Sequence, residues 1–222
     1  MDNCFLYNNC NHKNCDKFCP RHLKSAFLLE ASGLPKSKWT KTTLVLDPDG
    51  TDLEAFKQLK DIESKIVSFV KNGVNLFIHS PISGNGKSSW LAKLLKSYFN
   101  QVWAGNGFKK RGYFLNLPTF LINLKESIRN PNSDFDDLKE FLKEVDLLCL
   151  DDIAASSLSE FEHNYLLYII ETRISNGLST FYSSNLNEQN LLQYLGTRLK
   201  SRIFNNSQVI CLQGQDRRGT QW

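Results

Sequence analysis

Apolar residues in this chain fall into short continuous runs, separated by longer stretches where they recur every three or four positions. The runs at 74–79, 112–117, 145–151, 179–184 and 208–212 read as strands. They are apolar on both faces rather than alternating, as in strands buried between two layers. The stretches 87–99, 118–129, 135–143, 159–176, 187–195 and 197–204 carry helical spacing. Leu59, Ile62, Ile66 and Phe69 add a helix before the first strand, and Thr51-Asp52-Leu53-Glu54 has the form of a capping box at its start. Ser159-x-x-Glu162 and Asn187 mark two more helix starts. This alternation predicts an α/β fold: a five-stranded parallel sheet covered on both faces, with ligands expected at the carboxyl ends of the strands.

Residues 1–24 break the pattern. They are polar and rich in Asn, Cys and Lys, with little to build a core. Residues 25–50 then hold a short apolar patch, Ala26–Leu29, before Gly33, Pro35, Pro48 and Gly50, a composition that suits a short helix and a linker, so the reading divides the chain into an N-terminal module with linker at 1–50 and a main domain at 51–222. No apolar run approaches the roughly 20 residues of a membrane span, and MDNCFLYNNC lacks the order of a secretion signal. A cytoplasmic location and no membrane partner are expected. The net charge of +4 permits nucleic-acid contact without requiring it.

The first strand runs into a Ser/Gly-rich turn ending Gly86-Lys87-Ser88-Ser89, and a helix follows at once. Strand, glycine-rich loop and helix start make a P-loop, in which backbone N–H groups surround a polyphosphate. Ser83, Gly84, Asn85, Gly86, Lys87, Ser88 and Ser89 are the expected nucleotide-binding residues. Lys87 reaches the terminal phosphates and the Ser88 hydroxyl holds magnesium. Pro81 stands where the strict motif has its first glycine.

Val145-Asp146-Leu147-Leu148-Cys149-Leu150-Asp151-Asp152 is an apolar strand ending in two carboxylates, the form of a Walker B element. Asp151 is expected to hold magnesium opposite Ser88, and Asp152 to orient and deprotonate the attacking water. Asn185, at the tip of the 179–184 strand, is placed to touch the γ-phosphate or that water. Arg198 and Arg202 lie four apart on one helix face, beside the stripe of Leu195, Leu199 and Ile203. An arginine there can project into a neighbouring copy's site, so self-association through Arg202 is expected. Arg217 and Arg218 offer a further phosphate contact. About ten residues follow the last strand, too few for a helical lid, so the pocket is expected to be completed by another subunit.

P-loop, paired acids, strand-tip Asn and the RLKSRI segment, in this order, resemble the DnaC/DnaI helicase-loader family of AAA+ ATPases over roughly residues 51–222. The likeness is greatest to versions from Gram-positive bacteria and their phages. The separate motifs are shared with the initiator DnaA and with IstB transposition helpers. The resemblance implies an ATP- and magnesium-dependent ATPase that binds a replicative hexameric helicase and single-stranded DNA. It further implies that Arg202 matches the finger position and that Arg218 serves as second sensor. Asp152 replaces a commoner Glu. The resemblance also favours the helices after the second strand for DNA contact. Lys109, Lys110, Arg111, Lys125 and Arg129 are the basic groups nearby, with Phe108, Tyr113 and Phe120 as aromatic neighbours.

Cys4, Cys10, His12, Cys15, Cys19 and His22 crowd the N-terminus. In a reducing compartment such clustering suggests a metal. Zinc held by Cys10, Cys15, Cys19 and Cys4 is favoured, with His22 as the other candidate for fourth ligand and an iron–sulfur cluster as the rival. Metal binding would supply folding energy that this segment lacks. The resemblance implies that this module contacts the helicase. Cys149 and Cys211, in apolar runs, are expected to be buried.

Overall fold

A computed structural model describes residues 16, 18–40, 44, 50–102 and 109–217. Strands β1 (Asn75–His79), β2 (Gly112–Asn116), β3 (Leu147–Asp151), β4 (Ser179–Ser184) and β5 (Ser207–Cys211) form one sheet in the order β2-β3-β4-β1-β5. Every pairing is parallel. The five expected strands are all present, each within two residues of its expected bounds.

Alternation of side chains sorts each strand between two cores. Leu76, Ile78, Phe114, Cys149 and Phe181 face α5 (Lys87–Gln101). The same layer holds α1 (Pro20–Glu30), α2 (Ser37–Thr40), α3 (Leu53–Ser64) and α4 (Ile66–Lys71). Phe77, Leu115, Leu148, Leu150 and Tyr182 face the other layer: α6 (Leu117–Arg129), α7 (Ser133–Glu144), α8 (Glu160–Ser175) and α9 (Glu188–Phe204). Burial on both faces explains why these strands read as unbroken apolar runs. The Ser159 box forms as expected: the Ser159 hydroxyl accepts from Glu162 N–H, and the Glu162 carboxylate accepts from Ser159 N–H. The break expected between 187–195 and 197–204 is a kink at Gly196, with φ 68° and ψ 167° inside α9.

Two expectations are corrected. The box at Thr51–Glu54 does not form. Glu54 pairs with Lys57 at 2.8 Å, and the Asp52 carboxylate turns to the end of the chain, accepting from Gln213 N–H at 2.7 Å and Gly214 N–H at 2.9 Å. Cys211 is exposed because β5 is an edge strand, although Cys149, in central β3, is buried. The short helix expected around Ala26–Leu29 is part of α1, and Leu28, Leu29 and Leu34 join the α5-side core. The Ser32 carbonyl accepts from Phe114 N–H at 2.6 Å and so covers the open edge of β2. Gly33, at φ 66°, makes this possible, since a Cβ there would lie 2.6 Å from the Phe114 carbonyl oxygen. The metal reading falls mostly outside the described residues, which omit Cys4, Cys10, His12 and Cys15. Cys19 is half-buried immediately before α1, and the described residues contain no cluster of three or more potential metal ligands. No helix among the described residues is long and apolar enough to cross a membrane.

Arg173 is the largest fully buried side chain. Its guanidinium donates to the carbonyls of Leu142, Val145 and Ser179 and to the Thr180 hydroxyl, at 2.6–2.9 Å. It therefore ties the end of α7 to the starts of β3 and β4. Burial pushes its pKa down to about 10, so the charge persists at neutral pH. Replacing it strands four acceptors away from water. Arg173→Met should cost about 3 kcal/mol in urea unfolding; a midpoint equal to wild type would show that the clamp contributes nothing.

Candidate nucleotide site

β1 delivers the chain into a tight loop because Ser80, fully buried, acts as a local acceptor. Its hydroxyl oxygen receives Ile82 N–H at 3.0 Å and the Asn85 amide at 2.6 Å. This bonding turns the chain at Pro81, which is exposed and need not supply a glycine's flexibility. Gly84 and Gly86 do supply it, at φ 75° and 105°. Gly86 then opens α5 with no side-chain cap. The first N–H groups of an α-helix lack intrahelical acceptors, so this end favours an anion. The Lys87 ammonium, 7% exposed, folds back over the loop and donates to the Ile82 carbonyl at 2.9 Å and to Asn85 Oδ1 at 3.4 Å. Ser83 is exposed at the rim, and Ser88 and Ser89 are half-buried in the first turn of α5.

β4 lies between β1 and β3, and Ile78 is in register with Ser183. The Ser183 hydroxyl donates to Asp151 Oδ1 at 2.5 Å and accepts from Asp152 N–H at 3.0 Å. Asp151 thus sits two strand spacings, about 10 Å, from the base of the P-loop, a span that a triphosphate and a divalent ion can bridge. Asp151 is 6% exposed. Asp152 adopts a left-handed φ of 64°, a conformation that Asp tolerates better than most residues. Asn185 donates its amide to Asp152 Oδ1 at 3.4 Å. The loop, the acid pair and Asn185 therefore meet at one end of the sheet. The donor set fits a hard divalent cation: a hydroxyl at Ser88 and a buried carboxylate at Asp151.

Beside the loop, Leu44, Asp52, Phe56, Asn85, Trp90, Leu212 and Arg217 line a shallow recess. Residues 212–217 are laid across it: Leu212 N–H donates to the His79 carbonyl at 2.8 Å, and Arg217 N–H to the Gly84 carbonyl at 3.2 Å. Arg218 lies outside the described residues. His79 is half-buried below the loop; burial, with the nearby Lys87 charge, pushes its pKa below the usual imidazole value.

Arg202 does not join this site. It lies near the end of α9, toward the amino ends of the strands, and its Nε is 3.2 Å from Glu171 Oε1, which also pairs with Arg198 at 3.1 Å. The Arg202 bond, with Arg198 adding, pulls the Glu171 carboxyl below its usual pKa. The basic groups considered for DNA are largely engaged within the chain. Lys109 and Arg111 flank Asp146 at 3.5 and 2.5 Å, Lys125 pairs with Glu162 at 3.0 Å, and Lys110 stands over the Phe141 ring. Phe120 is buried, Tyr113 is half-buried, and Phe108 lies outside the described residues. Ile122, Lys125 and Arg129 share the exposed face of α6.

Sequence reasoning missed Ser183, the Asp52 contact to the chain end, the recess and Lys38. Lys38, on α2, feels the attraction of both Asp151 and Asp152, against a burial effect that lowers its pKa. No local pattern marks it, because it meets residues more than 110 positions away.

The bacterial DnaA ATPase-domain model matches residues 55–209. No curated protein sequence matches the chain. Among solved structures, a DnaC helicase loader superposes with TM-score 0.66 at 18% identity, over 81% of this chain and 100% of that one. A primosome component from Streptococcus pyogenes serotype M3, itself described as putative, gives 0.65 at 24% identity, over 87% and 98%. A DnaA initiator bound to AMPPCP and single-stranded DNA gives 0.59 at 18% identity, over 75% of this chain and 50% of that one. At these identities the structures share the fold.

Proposed function

The chain belongs to the bacterial DnaA ATPase-domain family, and from that premise we propose that it is an ATP-dependent loader of a replicative hexameric helicase, acting in replication initiation. The contact of Asn185 with Asp152, beside the Asp151–Ser183 pair and across β4 from the P-loop, carries the nucleotide half of this reading. In it the N–H groups at Gly84–Ser89 receive the phosphates. Lys87 exchanges its loop carbonyl for a phosphate oxygen. Ser88 and Asp151 hold magnesium, Asp152 takes the proton of the attacking water, and Asn185 orients that water. Magnesium, when bound, supplies charge neutralisation at the terminal phosphates. The apolar side chains of Leu44, Phe56 and Trp90 suit a base, and the Arg217 guanidinium, which lines the same recess, suits phosphate.

The helicase half rests on the loader and primosome-component folds. For DNA we favour the exposed Ile122, Lys125 and Arg129 face of α6, a reading supported by the DnaA complex with single-stranded DNA. Co-sedimentation with a host replicative helicase, with and without ATP, tests the whole; no ATP-dependent capture at micromolar concentrations would sink it.

Arg202 lies at the wrong end of the sheet to serve its own nucleotide, so its role needs a second copy. It must leave Glu171 for a neighbour's phosphate. Turnover per chain should rise with protein concentration in wild type and stay flat in Arg202→Ala, with nucleotide affinity unchanged in dilute solution. A concentration-dependent rise that survives the substitution would remove Arg202 from this role.

A further inference from the structure

Lys38 lies within electrostatic range of the acid pair, on the segment that joins the chain's N-terminal part to the sheet. Phe114 N–H on the Ser32 carbonyl at the β2 edge and the Lys96 ammonium of α5 on the Lys38 carbonyl at 3.0 Å hold it to the domain, while the Trp39 indole N–H on the Leu34 carbonyl at 2.9 Å braces the segment internally. The Lys38 ammonium stands 5.1 Å from the centre of the Phe114 ring. Phe114 pairs in register with Cys149, and both belong to the α5-side core. Asp151, two residues beyond Cys149, projects to that same face by strand alternation. Phe114 and Asp151 are therefore diagonal neighbours, with Cα atoms roughly 8 Å apart. Lys38 comes to the acid pair from the β2 side, opposite the P-loop, and is half-buried there.

Two adjacent carboxylates in a partly dry site repel each other and need a counter-charge. We propose that Lys38 is the resident cation of the acid pair, and that a divalent ion entering the site displaces it, so that occupancy of the site moves the strap of residues 32–40. This rests on the nucleotide reading above and adds a coupling to it. The strap continues directly into α1 and the cysteine-bearing N-terminus, so metal–nucleotide binding would be felt where no residue touches nucleotide.

The test uses the full chain, a fluorescent non-hydrolysable ATP analogue at saturation, and a magnesium titration. Removing a competing charge at this range and exposure should lower the magnesium midpoint about fivefold in Lys38→Met, whereas Lys38→Arg should stay near wild type. Trp39 reports the strap: its emission, isolated by difference against Trp39→Phe, should change on magnesium addition in wild type and stay still in Lys38→Met. Lys38→Gln repeats the titration if Met lowers the melting temperature. An unchanged midpoint in the neutral variants overturns the proposal. A raised midpoint does so too, making Lys38 a helper rather than a competitor, and a silent Trp39 in wild type removes the coupling. If wild type itself fails to bind the analogue, the nucleotide reading fails and takes this inference with it, an outcome distinct from the others.

Discussion

Lys87→Ala should lose about 100-fold in affinity for an ATP analogue, close to 3 kcal/mol, while the protein remains folded. The side chain is a buried cation whose partners include a carbonyl and an amide oxygen of its own loop. Exchanging those neutral acceptors for a phosphate oxygen gains a charge-assisted bond worth about 2–3 kcal/mol, and alanine forfeits it together with the Coulomb attraction. The stability change should be small. The Ile82 carbonyl belongs to a half-exposed residue and can turn to water, so about 1 kcal/mol and a shift of about 2–4 °C in Tm are expected. Isothermal titration alongside a thermal melt separates the two effects. Equal affinity in mutant and wild type would mean that the loop grips no phosphate.

Asp152→Asn should reduce ATP turnover about 1,000-fold and leave analogue affinity within about twofold. Asparagine has nearly the same shape and tolerates the left-handed φ of 64° as well as aspartate does, so the loop after β3 keeps its course. The amide cannot accept the proton of water, and the contact from Asn185 at 3.4 Å survives through the side-chain oxygen. Single-turnover phosphate release is the measurement. Undiminished turnover would relieve Asp152 of the base role and leave Asn185 and Arg202 as the groups to test next.

The two substitutions probe different halves of one site. Asp151 and Ser183 tie β3 to β4, and Ser80 N–H to the Ser184 carbonyl at 3.1 Å ties β4 to the P-loop strand. A proton acceptor and a phosphate cradle at the ends of two strands bridged by a third are held at fixed separation, which is what in-line attack needs.

The P-loop, the acid pair and Asn185 were legible without coordinates because each is a local signal: a turn, a strand end, a strand tip. The strand runs were equally legible, since burial on both faces leaves a mark in consecutive residues. The Thr51–Glu54 box looked local but was not. Asp52 had a better bargain with the N–H groups of Gln213 and Gly214, more than 160 residues away, and helix-start chemistry yielded to it. The basic residues near β2 likewise meet partners that no local pattern announces: Asp146 pairs with Lys109 and Arg111, and Glu162 with Lys125.

By itself the sequence determined the α/β class, the five strands and the glycine-rich loop, acid pair and strand-tip Asn that gather at one end of the sheet, because hydrophobic period and turn chemistry act over a few neighbouring positions. Only the tertiary structure decided that β4 separates the two halves of the site, that residues 212–217 lie against the P-loop, that Arg202 faces away and that Lys38 feels the acids. Those facts depend on which strands pair and on which charges meet once apolar faces are buried, and contacts between residues 30 to 160 positions apart leave no periodic trace in the chain.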